Sequence, residues 1–346
     1  MRPLTRSARE AASRGVLLEL PKVAVIGCGN WGKNLVRNFA HLGALGAVCD
    51  SDAARLKNVA GELSNVLITD SFDSILGNKE IKAVVVATPS DSHFLVARQS
   101  LLAGKHVYVE KPLARDVSHA EELDRLATER NLVLMVGHLL LYHPAVNCLK
   151  QLIASGELGD LLFVRSDRMN FNASRRDWSV LWDLAPHDIS MMSYLLDCEL
   201  TEVSRVGGWD TQGDGLVDVA YLDLSFPVNG QIIHGQVRNS WIDPQKVVRL
   251  TVNGSLKTAV LNDTQVENKL ALHSLTSEGR MVVEYPAYPD VEPLHLECEH
   301  FLKCLMTGER PRTDANNAYQ VVRILQDVEE RLSRRPVLSA ARTNKR

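Results

Sequence analysis

The chain has 346 residues, 45% of them hydrophobic, and a formal net charge of −3 at pH 7. That length can fill two apolar cores, and the slight acidity gives no electrostatic basis for binding nucleic acid. No run reaches the roughly 18 apolar residues of a membrane span; the longest candidate, 132–141, is broken by Gly137 and His138.

Residues 1–20 carry Arg2, Arg6, Arg9 and Arg14 against Glu10 and Glu19 and lack the apolar centre of a secretory signal. They read as a flexible extension or an upstream start, with an arginine-rich organellar leader as the alternative. Six cysteines, at 28, 49, 148, 198, 298 and 304, form no C-x-x-C pair, which fits a reducing cytoplasm.

The run Val23-Ala24-Val25-Ile26 leads into Gly27-Cys28-Gly29-Asn30-Trp31-Gly32 and then a helical stretch, 31–41. This is G-x-G-x-x-G between strand and helix, the setting that gives it a mechanism. Gly27 permits a tight turn, Gly29 lets the backbone approach a pyrophosphate, and Gly32 lets helix and strand pack closely. The helix N-terminus supplies N–H groups and partial positive charge. The next run, 46–49, ends at Asp50, where a carboxylate would take a ribose diol and favour NAD over NADP. Ser51 offers nothing to a 2′-phosphate; Arg55 is the exception. A glycine turn without a ligand is the alternative.

Strand-like runs at 23–26, 46–49, 66–68, 83–87, 106–109 and 132–136 alternate with helical patterns at 31–41, 53–62, 71–76, 93–103 and 118–130, with Asp91 and Ser118 as helix caps. This predicts an α/β Rossmann domain, a doubly wound parallel sheet, over 21–142. Ligands of such sheets bind beyond the carboxyl ends of the strands, where Thr88-Pro89, Glu110-Lys111-Pro112 and Gly137-His138 fall. From 143 to 334 the pattern becomes α+β. Longer strands at 161–171, 202–209, 217–225, 231–241, 247–253 and 257–261 imply a large, mostly antiparallel sheet. A helix at 186–196 interrupts them, two more at 292–306 and 316–334 follow, and the last packs back on the first domain. Residues 335–346 read as a tail.

Lys111 emerges at the lip of the cofactor cleft, where partial burial beside a cationic nicotinamide would bring a lysine toward neutral-range proton chemistry. A surface lysine paired with Glu110 is the plain alternative. Thr88 and Pro89 line the cofactor by backbone contacts; His93 reads as a helix-start packing residue. In Trp182-Asp183-Leu184-Ala185-Pro186-His187-Asp188, Pro186 belongs to a first helical turn. His187 would then titrate near neutrality between a helix N-terminus and two acids, or simply pair with a capping Asp183. Arg165, Arg168, Asn170, Asn172, Arg175 and Arg176 could hold an anionic substrate, Arg168 and Asn170 sharing one strand face, or could be a charged edge strand. His295, Glu297, Cys298 and His300 match no metal-ligand spacing, so no metal is expected.

With the glycine turn, Thr88-Pro89-x-x-x-His93, Glu110-Lys111-Pro112 and Asp183-x-x-x-His187 in order, the chain resembles the Gfo/Idh/MocA family of NAD(P)-dependent sugar oxidoreductases over 22–334. Within it, residues 30–35 and 137–144 resemble those of nucleotide-sugar 3-dehydrogenases acting on UDP-N-acetylglucosamine or its uronic acid form. The resemblance implies oxidation of a sugar hydroxyl to a ketone, with hydride passing to the nicotinamide. It gives Lys111 and His187 the proton work, makes Asp183 an orienting group, and turns Arg168 and Asn170 toward the substrate with Lys111, Asp183 and His187. Gly27, Gly29, Asn30, Trp31, Gly32, Asp50, Thr88, Pro89, His93, Glu110, Lys111 and His138 would hold NAD, with NADP as the lesser choice. It further implies a homodimer or tetramer through the second-domain sheet. Ala185 stands where the family often has glycine, so its methyl is expected to narrow the site. A free polyol dehydrogenase, inositol-type, is one rival reading; a non-catalytic NAD-binding regulator is another.

Overall fold

The computed structural model describes residues 20–61, 63–171 and 178–334. The expectations for the extension, Glu62, Asn172, Arg175, Arg176 and the tail lie outside the described residues.

The first sheet contains strands β1 (Lys22–Ile26), β2 (Leu45–Cys49), β3 (Leu67–Thr69), β4 (Ile81–Val86), β5 (His106–Glu110) and β6 (Leu134–Gly137), all parallel, in the order 3-2-1-4-5-6. Val and Ala dominate β1 and β4 because both faces are covered: Ala24, Val25, Val84, Val85 and Val86 have no exposed surface. Helices α1 (Gly32–His41), α2 (Ala53–Ala60), α3 (Phe72–Gly77), α4 (His93–Leu102) and α5 (Val117–Glu129) supply the cover. On α1, Leu35, Val36 and Phe39 are buried while Lys33 and Arg37 are exposed, the 3.6-residue period at work. The strand order reverses between β1 and β4, so the ends of those strands flank the crevice where such sheets bind ligands.

Two cap expectations fail. Asp116, not Ser118, caps α5, accepting from the Ser118 amide, because a carboxylate one step outside the helix reaches the second helical N–H. Asp91 lies in a 3₁₀ turn, Ser90–Ser92, ahead of α4 and pairs with Arg115.

After α6 (Pro144–Ala154), eight strands form the second sheet: β7 (Leu161–Phe171), β8 (Glu202–Trp209), β9 (Val219–Val228), β10 (Gln231–Ser240), β11 (Ile242–Gly254), β12 (Thr258–Asn262), β13 (Leu270–Leu275) and β14 (Met281–Glu284). Their order is 14-13-12-11-7-10-9-8, antiparallel except where β10 runs parallel to β7. β13 and β14 escape the sequence reading; β14 is exposed at every residue, so no alternation marks it. β7 lies in the middle of the sheet, which removes the edge-strand reading of its charges.

Helix α7 (Val180–Leu196) packs against β7, β9 and β10 through Leu181, Ala185, Ile189, Met192 and Leu195. It starts six residues before the expected 186, so Pro186 is interior, where it offers no N–H to the carbonyl of Trp182. Two further helices join the halves. α8 (Pro293–Thr307) buries Leu294, Cys298, Phe301 and Leu302 in the core of the first sheet, and α9 (Ala315–Ser333) packs on both α5 and α7. No helix among the described residues is long and apolar enough to cross a membrane.

Candidate active site

At the end of β1 the chain turns through Gly27, whose φ is +90°. A Cβ there would meet the carbonyl of Ala87 at 2.7 Å, and one on Gly32 would lie 1.9 Å from the carbonyl of Gly27, so both positions need a bare Cα. Gly29 has open space out to Arg55. Helix α1 begins at this turn with no side-chain cap and no acid in its first turn, so its first N–H groups are not met by a side chain. The turn therefore fits a pyrophosphate: open backbone at Gly29 and an uncompensated helix terminus.

Asp50, buried at the end of β2, accepts from the Cys28 amide at 2.8 Å and the Asp52 amide at 2.9 Å. Burial pushes its pKa up, but these amides and Arg55 outweigh it, and the carboxyl sits below the usual range. The acid thus pins the glycine turn while staying ionised for a ribose. Arg55 reaches Asp50 and Asp52 at 3.8 and 3.4 Å.

The loops after β4 and β5 are tied together by His93, whose Nδ1 and Nε2 lie 2.8 and 2.9 Å from the carbonyls of Pro112 and Thr88. It is buried, and its ring joins the two loops that carry Thr88, Pro89 and Lys111. Glu110 accepts from the Trp31 indole at 2.6 Å, from Tyr108 at 3.2 Å and from the Lys111 amide at 3.3 Å, joining the glycine turn to the end of β5.

Lys111 does not pair with Glu110 through its ammonium. Its Nζ donates to the Asp183 carbonyl at 2.9 Å and lies 3.3 Å from the Asp183 carboxylate. Lysine and aspartate are 19% and 13% exposed, so the ion pair is largely shielded from water. Asp183 is not the cap of α7; Ser179 holds that position, and Asp183 lies in the first turn. His187 follows one turn later on the same helical face. Ala185, two residues on, belongs to the other face with no exposed surface, in the core with Leu181 and Ile189. Its methyl therefore does not narrow the site, contrary to expectation.

His187 also departs from expectation. Burial, with the charges of Lys111 and Arg168 and the neighbouring His138, holds its pKa well below 6.5, so it is a neutral base at pH 7. The helix terminus is too distant to govern it, because α7 begins at Val180. Nδ1 of His187 is buried without a partner. His138, in the turn after β6, is 2% exposed with neither ring nitrogen partnered, and burial beside Lys111 pushes it down to about 4.

On β7, Ser166, Arg168 and Asn170 alternate onto the face that meets α7. Asp188 gathers them. Fully buried, it accepts from Ser166 Oγ at 2.8 Å, Arg168 Nε at 3.1 Å and Asn239 of β10 at 2.8 Å. Chain proximity suggests Asp188 as a partner for His187; the structure pairs it with Arg168, whose guanidinium is thereby aimed with its charge toward His187. Arg165 projects to the opposite face and pairs with Asp167. Asn170 Oδ1 is buried without a partner. Asp188, Asn239 and Ser166 were missed as supports, although the alternation that exposed Arg168 and Asn170 reaches back to Ser166.

The structure thus assembles Lys111, Asp183, His187, His138 and Arg168 into one cluster at the carboxyl end of the first sheet, with Gly27 to Gly32, Asp50 and Thr88 along the adjoining crevice. A cavity of about 930 Å³ lies elsewhere, between α6 and α8 and lined by Cys148, Tyr288 and Met306. It contains none of these groups. Among the described residues, no three His, Cys, Asp or Glu side chains gather to hold a metal ion.

Two family models match the chain: the Gfo/Idh/MocA oxidoreductase family, NAD-binding Rossmann fold, over residues 21–138, and the Gfo/Idh/MocA C-terminal domain over 146–260. UDP-N-acetylglucosamine 3-dehydrogenase of Acidithiobacillus ferrooxidans is 34% identical over 187 residues, 54% of this chain, which spans 58% of that relative's length. scyllo-Inositol 2-dehydrogenase (NAD(+)) of Bacillus subtilis is 25% identical over 84% of this chain and 87% of its own. A solved structure of the Acidithiobacillus enzyme superposes with a TM-score of 0.77 at 26% identity, covering 89% of this chain and 96% of that one.

Proposed function

The chain belongs to the Gfo/Idh/MocA oxidoreductase family, and we propose that it oxidises a sugar hydroxyl to a ketone with NAD, the substrate being a UDP-linked N-acetyl sugar oxidised at C3. The observation that carries this reading is the cluster of Lys111, Asp183 and neutral His187 at the strand ends beside the glycine turn. NAD, when bound along Gly27 to Gly32 and Asp50, would accept the hydride.

Neutral His187 takes the hydroxyl proton, since its depressed pKa leaves it unprotonated across the working range. The Lys111 ammonium, fixed by the carbonyl and carboxylate of Asp183, holds the negative charge that develops on the substrate oxygen. Arg168, steadied by Asp188, and Asn170 take a carboxylate or diphosphate of the substrate. An uncharged polyol needs no such group, which is what favours the nucleotide sugar over an inositol. Asp50 turns the cofactor choice to NAD over NADP by at least about tenfold; titration of both cofactors checks this, and comparable affinities would refute it. The assembly we propose is a homodimer or tetramer through the sheet face opposite α7.

The experiment is reduced-nicotinamide formation by the purified protein with NAD and, in parallel, UDP-N-acetylglucosamine, its uronic acid form and free inositol, with a 2-oxo acid added to recycle retained cofactor. Turnover with a UDP sugar is expected. Turnover with inositol alone would overturn the substrate, and silence on all three would leave a regulator.

A further inference from the structure

Behind the site, a second carboxylate lies on α8, the helix that packs against β5 through Phe301 and Tyr108. Glu297 of α8 has no exposed surface, and neither of its oxygens has a hydrogen-bond partner of its own. The group facing it from β5 is the fully buried Tyr108, whose hydroxyl donates to Glu110 at 3.2 Å. Tyr142, in the turn after β6, and Cys298 on α8 itself complete its titratable surroundings. The phenol that donates to Glu110 thus also faces the second, unpartnered acid.

The two acids are not equivalent. Glu110 receives the Trp31 indole, the Lys111 amide and Tyr108, and it feels the Lys111 charge; burial still leaves its pKa above the usual carboxyl range, but all of these work against that push. For Glu297, burial and the Glu110 charge push upward together, and only Tyr108 opposes them. With both groups buried and repelling each other, one proton on the pair is favoured over two full charges.

We propose that Glu297 is a positioning residue: it carries a proton permanently and passes a hydrogen bond through Tyr108, so that Glu110 is the charged acid that fastens the Trp31 turn to the Lys111 strand end. This deepens the reading above and rests on it only for the purpose served, which is to hold the cofactor turn and Lys111 in register. Protonation also removes the charge from this unpartnered carboxyl and lets one of its oxygens donate to the tyrosine oxygen while Tyr108 donates onward to Glu110.

The test is infrared difference spectroscopy of the whole protein, wild type minus Glu297→Gln, at pH 7. The expected result is loss of a protonated-carboxyl C=O band; a change confined to carboxylate bands would overturn the proposal. If Glu297→Gln does not fold, Tyr108→Phe serves: the carboxyl band should persist and shift, and an unmoved band would be equally fatal. NAD titration adds a second arm. Glu110→Gln should weaken binding by about tenfold or more, as for loss of hydrogen bonds to a charged group, and Glu297→Gln by less than about twofold; equal losses would place the charge on the wrong acid. The infrared arm needs neither cofactor nor substrate, so it decides where the proton sits even if no sugar is oxidised.

Discussion

The two ends of the cleft are built on opposite terms. At the cofactor end the polar side chains are spent on the protein itself: Asp50 on the Cys28 and Asp52 amides, His93 on two carbonyls, Trp31 on Glu110, and Thr88 on Ser92. At the reacting end both nitrogens of His138, Nδ1 of His187 and Oδ1 of Asn170 are buried with no partner. Unmet hydrogen-bonding capacity is costly in a fold and persists at sites that bind something. The cofactor end is therefore shaped by backbone and sterics, and the reacting end by side chains that await hydroxyls.

Mutations can pull the two ends apart. Lys111→Ala is expected to have the largest effect, lowering turnover by about a thousandfold while NAD affinity changes little; steady-state kinetics with a parallel cofactor titration checks it, and a similar loss in both would merge the two ends into one. Gly32→Ala should do the reverse. Its methyl meets the Gly27 carbonyl, a backbone atom that cannot step aside; the expected cost is about 3 kcal/mol, read as a loss of NAD affinity and a lower urea midpoint.

His138 offers a third test, through pH. Its folded-state pKa of about 4 lies below the 6.5 of an unfolded histidine. Between those values the unfolded chain binds a proton that the folded chain refuses, so stability falls as pH is lowered from 6.5 to 4. The contribution is about 3 kcal/mol, and His187 and His93, also depressed, act in the same direction. Urea titrations at pH 7 and pH 4.5 should show a steeper decline for the wild type than for His138→Leu. The smallest effect is expected from Arg168→Lys, which loses the Nε bond to Asp188. KM for the sugar should rise roughly tenfold, with kcat and NAD affinity nearly unchanged.

The cofactor end was legible because its instructions are local. Glycines at 27, 29 and 32 and an acid ending the next strand must occur at fixed spacings, and the strand ends that carry Thr88, Lys111 and His138 follow from the periodicity. The reacting end was legible in residue names but not in environment. His187 was expected to titrate near neutrality because α7 was started at Pro186; the six residues before it are helical because tertiary packing of Leu181 and Trp182 overrides the proline signal. Asp188 looked like a partner for its chain neighbour and instead crosses to Arg168, since adjacent helical residues point about 100° apart. Glu297 read as part of an ordinary helix face, and nothing in sequence marks an acid whose burial is decided by a strand almost two hundred residues earlier.

The placement of α8 bears on the order in which the molecule is made. The core enclosed by β1, β2, β4 and β5 is completed by Leu294, Phe301 and Leu302, which follow it in the chain by well over a hundred residues. During synthesis the first sheet therefore emerges with one side of its apolar interior covered only in part, by α1 and α2, and it remains so while the whole second sheet is translated. Contacts of such long sequence separation form slowly and leave nascent surfaces open to aggregation. The six parallel strands begin the fold, and a helix translated after the last strand of the other sheet finishes it.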